Sequence, residues 1–582
     1  MHQPQLTPYP SSYFDYEVYP FVRPADMEAV TPITHPVVVV GAGPAGLVLA
    51  ILLARQGVKT VLVESQAQVS GGSRALALSR RSMEILEQAG VADEFLKEAI
   101  VWQHGRSYYR GQVVHHLEIP YSEDDKFAPM TNLPQCNMEK ILVDQARSVG
   151  VDVRFQTKLT ELDVQADHVQ LTLDTPEGAY RMYAQWVVGA DGARSAVRKL
   201  QNLRFEGQSF ESRFVIADFK IDIDEPAGRR CYFEPPWLPG HSVLMHKAPF
   251  GVWRLDYQVP DGVSDELALD PERIRSHIQA HLDYIGIKQP WQIEWTTIYK
   301  PNTLTLASYN HGRVLYCGDA AHLLPVFGVR GMNTGVQDSI NLAWKLAAIL
   351  QGRAKPELLD TYSTERVADA RQICKEAGRS TRMMAPPTRG YRILQQAVLS
   401  LSLDNEFPRG LLHWRTSHPI DYAGSPLTTS DEDTGSHFDS GPMPGAPARN
   451  VRLQDGAFLM DTFTSAFQIL IFGDDTALVQ SAAKDAAALR ERGVNVRIIS
   501  ITSEAEVEPY ADVTLHDANG HAADLWGAKQ GAIYVIRPDG HVLARWKKGS
   551  RLNAKIAIER ALQIGAKLQP ASSVQPLTMS TS

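Results

Sequence analysis

The sequence predicts an α/β protein with two patterned regions. Three observations carry that expectation. Over residues 36–408, apolar strand-like runs alternate with helical stretches, the order expected of a mostly parallel sheet covered by helices. Four consecutive valines at 37–40 run into closely spaced glycines and then an uncharged helix. A Ser-, Thr-, Asp-, Gly- and Pro-rich stretch at 416–450 reads as a linker, and regular pattern resumes over 451–570. A chain of 582 residues exceeds what one core usually supports, which agrees with more than one domain.

The bulk numbers exclude some classes. A net charge of −8 gives no basic footprint for nucleic acid. Cys136, Cys231, Cys317 and Cys374 are far apart in sequence, which suits reduced thiols in a cytosolic protein rather than disulfides or a zinc site, so no metal is expected. The first 35 residues read as an extended, Pro- and Tyr-rich arm without the basic and apolar regions of a signal peptide. Residues 37–54 carry no charge, the length at which a membrane helix is suspected. Three glycines and a proline just after the valines fit strand, turn and helix better than one span.

The strand at 37–40 has the all-apolar character of a buried parallel strand. Gly41, Gly43 and Gly46 follow in GxGxxG spacing, within the run GAGPAG that includes Ala45. The first glycine permits the turn, the second lets a pyrophosphate approach, and the third lets the helix pack close. The helix start then offers free N–H groups to phosphates. A second strand at 60–63 ends in Glu64, placed either to bind ribose hydroxyls or as an ordinary surface acid. Two later segments repeat the strand–turn–helix form. WVVGADGARSAVRKL carries Asp191 and Gly192 ahead of a helix with Arg194 and Arg198. GRVLYCGDAAHLLPVFGVRGMNTGVQDSINLAWKLA carries Asp319 after a strand at 314–317, then a glycine-containing loop at 325–331 that opens a long helix.

With GAGPAG, GADG and CGDAAH in that order over residues 36–379, the sequence resembles the FAD-dependent aromatic hydroxylases of the para-hydroxybenzoate hydroxylase and phenol hydroxylase type. The resemblance implies a Rossmann-like FAD-binding domain over 36–415, interleaved with a β-sheet substrate domain at about 205–300. It implies that Asp319 bonds the ribityl chain, and that the helix start at Gly331, Met332 and Asn333 faces the flavin pyrimidine. Asp191 and Gly192 help hold FAD and the nicotinamide, Arg74 lies near the flavin and its phosphates, and Gln135 contacts the cofactor. Arg330 stands where many relatives have glutamine; its cation could pair with an acidic substrate, a flavin phosphate or a neighbouring carboxylate.

The implied activity is hydroxylation of a phenolic ring with NADH or NADPH and O2, by way of a flavin hydroperoxide. In the aromatic-rich strands after residue 205, Trp237, Met245, Phe250 and Trp253 either line the substrate pocket or pack the sheet. His246, Arg254 and Tyr257 are the candidates for binding or deprotonating the phenol. Residues 451–570 resemble the thioredoxin-like tail of phenol hydroxylase relatives, with strands at 467–472 and 494–501, helices at 476–492 and 553–564, and a hairpin about Pro538-Asp539-Gly540. With no cysteine after Cys374, thiol chemistry is excluded there and a structural or oligomerisation role, such as a homodimer, remains. Residues 571–582 read as a disordered tail. The W-x-W-x-I-P motif of flavin halogenases is absent. An epoxidase or reductase on the same scaffold, or a flavin-binding protein without turnover, are the competing readings.

Overall fold

The valine run becomes the buried centre of a parallel sheet. In the computed structural model, which describes residues 1–325, 327–412, 419–504, 506–528, 531–547 and 553–563, two units are distinguished. One comprises Met1–Leu350, Leu359–Ile420 and Asn450–Ser465; the other comprises Gln351–Leu358, Asp421–Arg449 and the chain from Ala466.

The first unit runs through β1 (Thr34–Val40), α1 (Pro44–Arg55), β2 (Thr60–Val63), α2 (Arg80–Ala89), β3 (His104–Tyr109), β4 (Gln112–Glu118), α3 (Gln135–Ser148) and β5 (Asp152–Arg154). It continues through β6 (Lys158–Val164), β7 (Val169–Thr175), β8 (Gly178–Gly189), β9 (Arg213–Ile221), β10 (Arg229–Phe233), β11 (Ser242–Lys247) and β12 (Val252–Val259). Then come α4 (Pro271–Tyr284), β13 (Trp291–Tyr299), β14 (Asn310–His311), β15 (Val314–Tyr316), α5 (Gly331–Leu350) and α6 (Leu358–Met384). The first sheet has the order β14-β15-β8-β1-β2-β5, with β7 and β6 extending from β8. Val37–Val40 pair in parallel with both β8 and β2. Helix α1 is buried from Gly46 through Leu53 because α5 and α3 pack against it, and an all-apolar helix suits burial on every side. Among the described residues no helix is long and apolar enough to cross a membrane.

The second sheet of this unit has the order β13-β9-β12-β11-β10-β3-β4. It spans the expected 205–300 region and adds β3 and β4 from far earlier in the chain. Their turn, Arg110-Gly111, has positive φ at both residues (50° and 78°), the form that suits a two-residue hairpin. Successive residues of each strand face opposite sides. One side packs on α4: Val215, Ala217 and Phe219, with Met245, Trp253, Leu255 and Tyr257, meet Ile274, Ile278 and Leu282. Tyr257 is thus a core residue on the α4 side, against Trp237 and His277, which corrects its reading as a substrate-binding group. Trp237, Met245 and Trp253 belong to the same core, while Phe250 is exposed and stacks on Tyr13 of the arm.

His281 of α4 lies in this core among Tyr232, Trp237 and Tyr284, with neither ring nitrogen hydrogen-bonded among the described residues. Burial, helped by the Arg230 charge, lowers its pKa to about 3. Below its ordinary pKa near 6.5 the unfolded chain therefore takes up a proton that the folded chain does not, and stability falls as pH falls. At pH 5 the loss is about 2 kcal/mol. Denaturant unfolding at pH 7.5 and pH 5 checks this: His281→Leu should lose about 2 kcal/mol less than the parent between the two, and equal losses would refute it.

The second unit builds one sheet from β16 (Phe467–Phe472), α7 (Thr476–Glu491), β17 (Val496–Thr502), β18 (Val513–His516), β19 (Ala532–Ile536), β20 (Val542–Lys547) and α8 (Ala554–Ala561). Its order is β18-β17-β16-β19-β20, parallel among the first three and antiparallel beyond. The stretch expected to be a linker is bound into this unit along β20. Thr429 and Gly445 N–H donate to the Leu543 and Val542 carbonyls, and Arg545 pairs with Asp431 at 2.7 Å. Polar composition here marks a backbone that pairs with an edge strand, not a free connection. Residues 571–582 lie outside the described residues.

Candidate functional site

The glycine turn after β1 behaves as its spacing demands. Gly41 has φ +109°, and a Cβ there would lie 2.6 Å from the Ala190 carbonyl oxygen. A Cβ on Gly46 would lie 2.1 Å from the Gly41 carbonyl oxygen. Gly43, which caps α1, would present a Cβ to open space. The first and third glycines are therefore required by packing, and the second is not. Ala45 lies against Gly318 and Gly335, and its carbonyl accepts the Ser339 hydroxyl at 2.8 Å, so it joins this turn to α5. Glu64 closes the mouth of the turn, accepting the Ala42 N–H at 2.9 Å and the Gln66 N–H at 2.8 Å.

The two aspartate turns gather beside it. Asp191 Oδ2 accepts the Ala196 and Val197 N–H groups at 2.6 and 3.1 Å, while its buried Oδ1 has no partner. Gly192, at φ +74°, has open space where a Cβ would be. Arg198 links the turns, donating to the Ala193 carbonyl at 2.7 Å and the Ala320 carbonyl at 3.2 Å; Arg194 precedes the helix rather than lying in it. Asp319 is open to solvent, yet surrounding protein raises its carboxyl above the usual range, with His322 and Arg74 opposing the rise.

Beneath Asp319 is a buried network that the motif reading missed. Asp338 of α5 accepts the Gly318 N–H at 3.0 Å, His322 Nε2 at 2.7 Å and Arg366 Nε at 2.6 Å. Burial alone would raise this carboxyl; His322 and Arg366 outweigh it and hold it below the usual range. Arg366 also pairs with Asp369. The signal was an aspartate in the apolar run that follows Met332, and charged residues recurring at 365–369.

The start of α5 is tied to the opposite wall. Asn333 Oδ1 accepts the Ser79 N–H at 2.8 Å and the Ser82 hydroxyl at 2.6 Å, and its Nδ2 donates to the Ala77 and Val329 carbonyls. Met332 packs against the core, and Gly331 is open where a Cβ would be. Val329, just before, holds φ +60°, a strained conformation for a β-branched residue and of the kind found at functional sites. Arg330 is buried and paired with Glu376 at 3.4 Å, a neighbouring carboxylate of the kind expected as one of its three partners.

Loop 70–75, which carries the exposed Arg74, is held from several sides. Gln135 Oε1 accepts the Ala75 N–H at 3.1 Å and its Nε2 donates to Glu139 at 2.8 Å. Glu139, whose carboxyl burial pushes up to about 7, accepts the Ser70 N–H and hydroxyl at 2.7 and 2.9 Å. Tyr16 of the arm accepts the Gly72 N–H at 2.8 Å, and a Cβ on Gly72 would strike Trp295 at 2.0 Å. Arg254 donates to the Ser73 and Arg74 carbonyls while its fork grips Asp218 at 2.8 and 2.9 Å. Nε, Nη1 and Nη2 of Arg254 are thus all used to hold the loop and Asp218. His246 pairs in register between Arg229 and Arg254. Burial and those two cations lower its pKa to about 3, which leaves it neutral and a poor proton acceptor.

A family model described as FAD binding domain matches residues 34–377. The chain is 27% identical over 524 residues to a 3-(3-hydroxy-phenyl)propionate/3-hydroxycinnamic acid hydroxylase of Mycolicibacterium smegmatis, covering 86% of this chain and 89% of the relative. It is 27% identical over 523 residues to a 6-methylpretetramide 4-monooxygenase of Streptomyces rimosus, covering 88% and 91%. Among solved structures, a ternary complex of aklavinone-11 hydroxylase with FAD and aklavinone matches at TM-score 0.73 and 26% identity, over 92% of this chain and all (100%) of that one.

Proposed function

The chain belongs to the FAD binding domain family, and from that premise we propose that it is an FAD-dependent monooxygenase that hydroxylates a phenolic ring, drawing electrons from NADH or NADPH and one oxygen atom from O2. The observation that carries the cofactor is the pattern of open and closed glycines. Gly41 and Gly46 are packed shut, whereas Gly43, Gly192 and Gly331 face open space, and the buried Oδ1 of Asp191, beside Gly192, has no partner. A dinucleotide fits that arrangement. When bound, FAD supplies electron transfer from the nicotinamide and the activation of O2. The aromatic substrate rests on the named activities of the relatives.

The chain's own groups then have definite tasks. Glu64 would take ribose hydroxyls, and the start of α1 would face the phosphates. Asp319 and Arg74 would hold the ribityl and phosphate region, with Gln135 acting through loop 70–75. Free N–H groups at Met332 and Asn333 would stabilise negative charge on the reduced ring. The side of the second sheet that carries Arg254 would cover the site and exclude water. The second unit is read as thioredoxin-like, supported by its β16-α7-β17 unit followed by an antiparallel hairpin and α8; with no cysteine in it, a structural or oligomerisation role is proposed rather than thiol chemistry.

The test is NADH and NADPH oxidation by the FAD-loaded protein over a panel of phenols, with product masses read in parallel. A phenol that accelerates oxidation and gains one oxygen atom supports the proposal. FAD-loaded protein whose nicotinamide oxidation responds to no phenol would overturn it.

A further inference from the structure

A phenol attacked at a ring carbon is more reactive once its hydroxyl has lost its proton, and the candidates read from sequence do not supply the acceptor. The side of the second sheet facing away from α4 sets polar residues among apolar ones, in rows across the strands. One row joins Asp218, Arg254, His246 and Arg229 across β9, β12, β11 and β10. The next joins Ile216, Asp256, Leu244 and Cys231 on the same strands. Asp256 therefore shares a face with Arg254, which reaches the carbonyls of loop 70–75. On the other flank, Phe327 of the segment before α5 stands edge-on to Phe214 at 5.2 Å, and Phe214 stacks on Tyr299 at 5.6 Å. Two segments that frame the cofactor site thus bound the face on which Asp256 lies.

That face has polar capacity left over. Asp256 is 8% exposed, and among the described residues no hydrogen bond or ion pair reaches its carboxylate. The Tyr299 hydroxyl and Gln258 Oε1 are buried and equally without partners. Native proteins leave few such groups. A carboxylate, a hydroxyl and an amide oxygen beside the rings of Phe214 and Phe327 form a complement for an aromatic ring bearing a hydroxyl.

Resting on the hydroxylase reading, we propose that Asp256 is the base that accepts the proton of the substrate's ring hydroxyl, with Tyr299 and Gln258 positioning that hydroxyl. The phenol O–H bond breaks, a carboxyl O–H bond forms on Asp256, and the electron pair stays on the phenolate oxygen. Nothing is oxidised or reduced in this step. Burial raises the Asp256 carboxyl to about 7 against the pull of Arg254, and Asp218 adds to the rise. Of the other groups on this face, His246 is neutral, Arg229 is a cation kept at a distance by the register, and burial keeps Tyr299 protonated. A proton acceptor near pH 7 suits general-base catalysis at neutral pH.

The experiment compares the FAD-loaded parent with Asp256→Asn and Asp256→Glu. First, bound 4-nitrophenol is followed from pH 6 to pH 8, where its ionisation is read as a colour change. Through pH 7, where the Asp256 carboxyl can take up a proton, the parent should hold a larger share of it as the phenolate than Asp256→Asn does, with equal FAD content; identical titrations across the range would overturn the proposal. Second, with the best phenol of the panel, Asp256→Asn should lose about 10²–10⁴-fold in kcat together with the rise of kcat near pH 7, and Asp256→Glu should restore part of both. Retention of that rise in Asp256→Asn would also overturn it. A parent that binds the phenolate, in contrast to Asp256→Asn, yet oxygenates no ring sinks the hydroxylase reading while the base assignment stands.

Discussion

Replacing Arg366 with leucine should destabilise the first unit by about 3–5 kcal/mol, the usual cost of removing one member of a buried charge network. The guanidinium is fully buried and bonds Asp338, Asp369 and the Thr334 carbonyl. Without it, two buried acids face one another with His322, among the described residues, as the remaining group that offsets them. Asp338 also fixes the Gly318 N–H, so the turn presenting Asp319 should loosen and FAD affinity fall with stability. Urea unfolding with FAD titration checks both; a loss under about 1 kcal/mol would mean the network is mainly structural ornament around an independently stable turn. Arg366→Lys keeps the charge but not the fork and should recover only part of the loss.

The glycine turn separates folding from cofactor binding. Gly46→Ala places a methyl 2.1 Å from a carbonyl oxygen, so β1 and α1 must move apart, and both the stability of the apoprotein and its hold on FAD should drop. Gly43→Ala meets nothing within 4 Å. Its apoprotein should unfold like the parent, yet its FAD dissociation constant should rise about 100-fold or more, roughly 2.7 kcal/mol, because the methyl occupies the approach of the phosphates. Fluorescence titration of FAD, with melting of the apoprotein, distinguishes the two. Tight FAD binding by Gly43→Ala would place the phosphates elsewhere.

These contrasts show where the sequence was legible. Turns with strict backbone demands, such as 41–46, 191–192 and 318–319, could be read because each requirement is local. Partnerships across many residues could not: Asp338 with Arg366, Arg254 with loop 70–75, and β3 and β4 joining a sheet made mostly of later strands. The second sheet shows the difference within one strand. WRLDYQV alternates, with Arg254, Asp256 and Gln258 on one side and Trp253, Leu255 and Tyr257 on the other. Selecting Tyr257 for its chemistry ignored that period, and the group one position earlier faces the site. Both sides are buried, so burial alone does not distinguish the two faces of this strand. Residues 421–449 failed for a different reason, since composition reports on side chains while their attachment runs through backbone N–H groups.

The mooring of loop 70–75 to the arm, to α3 and to β12 means that its anchors share one mechanical object. Loosening Tyr16 would remove part of what Glu139 or Arg254 can still hold, so the energetic effects of changes at these distant sequence positions should not sum. An arm without regular pattern therefore carries part of the support of loop 70–75.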